Sequence, residues 1–331
     1  MTGSNRAGRS LADRAARDGW SGGDFAYVYT DEPDASVLGA MPRSFTFRLF
    51  AALIAGLAVA VIVSPFAAAA VAGAGFSFPF PRVFDRVVMV SLGIVMLLGA
   101  RSLRFVELLK EGFARPESNL GRAVRGFAVA IAAMAILIGA AIAIEGIGHP
   151  ARGIRMLPKY ALSAVTIAII EEGFFRAFLF RGMEADFGRM GALLASSAVY
   201  AAAHLVRAPG RFYVSGVDLS AGLRTLALSF SQFQDPMSAL TTLFGLFLLG
   251  ILLAEACVLT GTVWYSAGLH AGFVIGAKLW PRMVAAHGTL PGWLGGWGHQ
   301  PVISGAAAWV ATLAVLVWLR PLTGANRSSL A

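Results

Sequence analysis

Residues 160–180 read YALSAVTIAIIEEGFFRAFLF, an apolar run long enough to cross a bilayer that is interrupted by Glu171, Glu172 and Arg176. A charged side chain near the bilayer centre costs at least about 2.5–3.5 kcal/mol on insertion scales. Such groups therefore face a protein interior or water, and they usually mark a functional site. The run predicts a membrane helix that carries chemistry.

The composition of the whole chain indicates a membrane protein. Of its 331 residues, 57% are hydrophobic and only 14% are charged, whereas soluble domains carry about 25% charged residues. We predict an all-α, polytopic membrane helical bundle with about eight transmembrane helices. The predicted ranges are 48–72, 86–100, 126–145, 160–180, 190–206, 237–259, 262–280 and 302–319.

The net charge of +9 comes from basic residues scattered among the short segments between the apolar runs. This pattern favours membrane orientation over nucleic-acid binding, so we expect the lipid bilayer and no nucleic acid among the partners. If the amino terminus is cytoplasmic, the cytoplasmic segments hold sixteen Lys and Arg residues and the opposite segments nine. We therefore predict that both termini lie in the cytoplasm.

The two acidic residues of the central run differ in their helical neighbours. Glu172 and Arg176 are four residues apart and share a helix face, so they can form an ion pair. Glu171 is rotated by about 100° from Glu172 and is left for chemistry. The alternative is a purely structural pair beside an acid that is simply protonated, because burial disfavours the charged carboxylate.

Two histidines follow on later apolar runs. His204 closes its run with Tyr200 one turn before it, and His270 lies between Gly268 and Gly272. A carboxylate with one imidazole can deprotonate water while a second imidazole donates to an oxyanion, which would hydrolyse an amide without a covalent nucleophile. The same groups could hold zinc, although no HExxH motif is present, so we favour a site without a cofactor and leave the metal open.

These residues resemble the CAAX protease and bacteriocin-processing family, glutamic intramembrane proteases that are related to type II CAAX prenyl endopeptidases. The resemblance covers the second half of the chain: Glu171, Glu172 and Arg176 match the first motif, Tyr200 and His204 the second, and His270 the last. It implies that Glu171 and His204 activate water and that His270 stabilises the oxyanion, with Glu172 part of the catalytic set and Arg176 and Tyr200 supporting.

One residue departs from the family pattern. The family places Asn or a similar polar residue four positions after the last histidine, and this chain has Val274 there. The departure favours a second interpretation, in which the chain is a non-catalytic membrane adaptor or a proton-linked transporter of the same fold. Under the first interpretation, the substrate is a membrane-associated or prenylated protein or peptide that is cut near its hydrophobic segment.

The resemblance also implies a bacterial inner membrane as the location. The polar composition of 1–43, the apolar runs and the resemblance together predict how the chain is divided. We expect a flexible polar tail over 1–43, amino-terminal transmembrane helices over 44–150, a catalytic transmembrane core over 151–320 and a short carboxyl-terminal tail over 321–331.

Overall fold

The computed structural model describes residues 44–114, 119–208, 210–298 and 300–323. The tail predicted for 1–43 and most of the one predicted for 321–331 lie outside the described residues. Within the described ranges the chain is helical and has no β-strand, as the all-α prediction requires. One isolated antiparallel bridge joins Ile147 to Val284.

The helices follow one another with short connections. In chain order they are α1 (Phe45–Gly73), α2 (Phe80–Leu98), α3 (Phe105–Gly112), α4 (Asn119–Glu145), α5 (Pro150–Glu172), a π-helical segment (Gly173–Phe180), α6 (Arg181–Leu205), α7 (Ser220–Leu228), a 3₁₀ turn (Ser231–Gln234), α8 (Pro236–Thr260), α9 (Trp264–Met283), α10 (Gly292–Gly295), α11 (Ala306–Val317) and α12 (Leu319–Thr323).

Each of the eight apolar ranges overlaps a helix, but the predicted number of membrane spans is not confirmed. Among the described residues, only α1, α4 and α8 are both long and apolar enough to cross a bilayer. The apolar helix α11 has 12 residues and spans about 18 Å, less than a hydrocarbon core of about 30 Å. Helix α5 carries basic residues in its first half, namely Arg152, Arg155 and Lys159.

The segment 181–189, which lies between the predicted membrane ranges 160–180 and 190–206 and was therefore expected to be a loop, is helical. The chain continues from α5 through the π-helical segment into α6, and the helix is broken only at Gly188, which has φ 65° and ψ 173°. A positive φ is accessible to glycine without the steric cost that a Cβ imposes. The second part of α6, after this break, carries Tyr200 and His204.

Helix α9 packs on α4 and α5, and its contact with α4 is the most extensive between any two helices in the described part of the chain. A Cβ added to Gly268 would collide with the carbonyl oxygen of Ala123, and one added to Gly126 would collide with that of Tyr265. Small residues let the two backbones touch. This packing buries His270, which is 3% exposed, against the end of α5.

Candidate active site

The structure brings the four predicted catalytic side chains together from α5, α6 and α9. Glu171 Oε2 lies 3.6 Å from His204 Nε2 and 3.7 Å from His270 Nε2. Glu172 Oε1 lies 2.9 Å from His270 Nδ1. Residues that are up to 99 positions apart in the sequence therefore form one cluster around the two carboxylates.

Arg176 forms the base of this cluster. Its Nε lies 3.5 Å from Glu172 Oε2, so the ion pair predicted from the sequence is present, and neither side chain is more than 2% exposed. Its Nη2 donates to the carbonyl oxygen of Gly250 at 3.1 Å. The guanidinium carbon lies 4.5 Å from the ring centre of Tyr200, within the range of a cation–π contact. The buried guanidinium therefore has three partners: a carboxylate, a backbone carbonyl and an aromatic ring.

Hydrogen bonds orient both imidazoles in the same way. His204 Nδ1 lies 2.8 Å from the backbone carbonyl oxygen of Tyr200, which can only accept, so we assign the proton to Nδ1. His270 Nδ1–H donates to the Glu172 carboxylate. Each ring therefore turns its Nε2 towards Glu171 Oε2, and a fixed Nδ1 partner of this kind holds the ring orientation.

The two glutamates have different environments. The side chains of Glu171 and His204 are each 27% exposed, whereas Glu172 is fully buried. Glu171 Oε2 is itself buried and has no hydrogen-bond partner among the described residues. Glu171 is therefore the carboxylate that is placed to meet a reactant, and Glu172 is the one that holds His270.

A cavity of about 790 Å³ opens beside the histidines. Tyr200, His204, His270 and Val274 line it, and Glu171 lies outside this wall. Most of the remaining wall is apolar and comes from α4, α8, α9, α11 and the residues before α11, namely Met134, Leu137, Leu246, Leu249, Phe273, Ala277, Pro301, Val302, Ile303, Ala308 and Ala311. The cavity could therefore accept an apolar segment next to the polar cluster.

Sequence reasoning missed five polar residues that complete the wall. They are Arg207, Ser231, Gln232, Gln300 and Thr312. Three of them come from the connection between α6 and α8, and the only signal for them in the sequence is that Arg207 follows His204 by three residues. Within the part of the chain that is described, no group of three or more His, Cys, Asp and Glu side chains is arranged to hold a metal ion.

The match to a known family falls on this site. Residues 153–276 match the family model described as type II CAAX prenyl endopeptidase Rce1-like. Residues 153–276 are an Rce1-like domain. The Rce1-like match covers every residue of the cluster, from Glu171 on α5 to His270 on α9.

The Rce1-like domain indicates a CAAX-type protease. Together with the apolar helices, it also indicates an integral membrane protein. No curated protein and no solved structure matches the chain.

Replacing Arg176 with Met in the Rce1-like domain is expected to destabilise the protein strongly. The change leaves the buried charge of Glu172 without its guanidinium partner, and breaking a buried ion pair in this way typically costs about 3–5 kcal/mol. The matched control is the double variant Glu172→Gln with Arg176→Met, which removes both charges and should lose much less. The unfolding midpoints of the two purified variants and of the wild-type protein in detergent measure both losses of stability. Equal losses in the two variants would show that the ion pair does not carry the effect.

Proposed function

We propose that the chain is an intramembrane endopeptidase that cuts a protein substrate near its membrane-associated or lipidated segment, using water activated by Glu171 and His204. The observation that carries the proposal is the convergence of Glu171 Oε2 with the Nε2 atoms of His204 and His270 inside an Rce1-like domain. The adjoining cavity, apolar for most of its wall, suits a substrate that is embedded in or anchored to a membrane.

The first chemical step is the attack of water on the scissile carbonyl carbon. We place this water between the Glu171 carboxylate and His204 Nε2, bonded to each at about 2.8 Å. Glu171 Oε2 is buried 3.6 Å from His204 Nε2, so these two side chains, each 27% exposed, must move apart to admit the water. The carboxylate takes one proton as the water oxygen forms its bond to carbon, and His204 Nε2 accepts a hydrogen bond from the other. The carbonyl π electrons move to oxygen and give a tetrahedral oxyanion.

The second step needs a donor for that oxyanion. In this scheme His270 carries both ring protons: its Nδ1–H is held by the Glu172 carboxylate, and its Nε2–H donates to the oxyanion. The oxyanion then collapses, the C–N bond breaks, and Glu171 returns its proton to the leaving amine. Water is consumed, and one carboxyl and one amino terminus are released, so this scheme needs no cofactor.

Replacing Glu171 with Gln is expected to abolish cleavage in cells while the protein remains at its normal level. The amide cannot accept the proton, and a general base typically contributes about 10²–10⁴-fold to the rate. The measurement is a mass-spectrometric comparison of protein termini in membranes and culture medium from wild-type and variant strains. A hydrophobic-tailed precursor should accumulate in the variant strain.

Glu107→Gln is the matched control, because Glu107 is an exposed acid that pairs with Arg104 on α3, away from the cavity. It should leave all termini unchanged. Purified wild-type protein should also keep its activity after dialysis against EDTA, and a loss that zinc restores would replace the proposed mechanism with a metal-dependent one. Unchanged termini in the Glu171→Gln strain would favour a non-catalytic membrane adaptor or proton-linked transporter, the second candidate to which Val274 points.

Replacing Val274 with Asn is expected to raise turnover at least about 10-fold. Val274 lies one turn after His270 and lines the same cavity, so an amide there could donate to the oxyanion beside His270. One such donor is typically worth about 2.7–4 kcal/mol of transition-state stabilisation. Turnover of a peptide cut by the wild-type protein measures the effect. Val274→Leu serves as the apolar control, and an equal rise in both variants would rule out the donor explanation.

We also propose a bacterial inner-membrane location with both termini in the cytoplasm, which the excess of basic residues in those segments supports. This orientation puts the connection between α6 and α8 outside the cytoplasm. An alkaline phosphatase fusion within residues 211–217 is expected to be active, because that enzyme folds only where disulfides form. Green fluorescence from a cytoplasm-dependent reporter at the same position would contradict the orientation.

A further inference from the structure

Arg207 differs in charge from the rest of the cavity wall. Among the described residues that line the cavity, it alone carries a permanent charge, and no acidic residue shares the wall with it. It follows His204 by three residues and lies at the exposed rim. The electrostatic field at this end of the cavity therefore favours a negatively charged group.

The backbone at Arg207 is held in place. Its N–H donates to the carbonyl oxygen of Ser229 at 3.0 Å, which ties the end of α6 to the end of α7. Ser231 and Gln232, from the 3₁₀ turn that follows, line the cavity beside it. Arg207 thus belongs to a polar rim in which the backbone is anchored by a long-range hydrogen bond.

The guanidinium of Arg207 forms no ion pair with a described carboxylate within 4 Å, in contrast to Arg176, which pairs with Glu172. Asp85 on α2 interacts with it electrostatically from a greater distance. A planar guanidinium matches the geometry of a carboxylate and can bind it through two parallel hydrogen bonds. The rim therefore presents a cationic donor to whatever enters the cavity.

We propose that Arg207 selects substrates that carry a carboxylate close to the scissile bond, while the adjoining apolar segment lies against the inner wall of the cavity. This inference rests on the proposed function and names the substrate class for that site. The carboxylate has two sources, the free carboxyl terminus of a peptide or an Asp or Glu side chain. Both would meet the guanidinium with the same chemistry.

The test is peptide binding to the full chain with the Glu171→Gln change, reconstituted in liposomes, so that the measurement does not depend on cleavage. The probe is a library of N-palmitoylated peptides with a randomised segment, made both as free acids and as carboxyl-terminal amides. Because the palmitoyl chain alone binds a bilayer, the retention of each peptide by protein-containing liposomes is divided by its retention by empty ones, and both are measured by mass spectrometry. We expect about 10-fold enrichment of peptides with a carboxylate, the lower end of what charge-assisted hydrogen bonds contribute.

Two substitutions in the Glu171→Gln background make the test specific. Arg207→Ala should remove the enrichment of peptides with a carboxylate. Arg207→Glu should reverse the preference, so that peptides containing Lys or Arg are enriched. Arg211→Ala is the matched control, because Arg211 is an exposed arginine of the same connection that lies outside the cavity wall, and it should leave the enrichment intact. A reversal of preference cannot come from misfolding.

The outcomes separate this inference from the proposed function. If only the peptides with a free carboxyl terminus are enriched over their amides, the terminal carboxylate is the group that binds. If peptides with Glu are enriched over peptides with Gln, the group is an acidic side chain. Either result supports the role of Arg207, even if the wild-type protein cleaves no peptide and the proposed function fails. Equal retention of acidic and neutral peptides, or a preference that survives in Arg207→Ala, overturns the inference while leaving the proposed function standing.

Discussion

The buried guanidinium of Arg176 is the group on which the arrangement of the site depends. It neutralises Glu172, and that carboxylate in turn holds Nδ1 of His270. It also lies over the ring of Tyr200, the residue whose backbone carbonyl accepts from His204. One charge that is costly to bury is thus connected to both imidazoles, and its loss would disturb the two sides of the site together.

The backbone around this arginine is as specialised as its side chain. Arg176 lies within the π-helical segment Gly173–Phe180, and π-helical turns inside longer helices are rare and frequently occur at functional sites. On the other side of the site, Gly268 lets α9 touch α4 near Ala123, which carries His270 to the end of α5. A rigid base is thus formed by backbone geometry and close packing, not by the reactive groups themselves.

Polarity changes sharply across the cavity, and this contrast defines what the site can accept. The inner wall is apolar, the histidines lie at one side, and the rim around Arg207 is polar. Val274 lies one turn after His270 and lines the same cavity. Under the proposed mechanism, the site therefore combines a complete set for activating water with a reduced set for stabilising the intermediate.

Local periodicity was enough to determine the helical class, the location of the charged site within an apolar run and the pairing of Glu172 with Arg176, because residues four apart on a helix must share a face. Contacts between distant helices decided the rest. They directed Glu171 towards both histidines, assigned Glu172 to His270, and added Arg207 to the cavity rim through the packing of a connecting segment. Within the described residues, three helices are long and apolar enough to span a membrane, so the predicted number of about eight is not confirmed. Such outcomes depend on which surfaces meet in space, and no local pattern in the sequence encodes that.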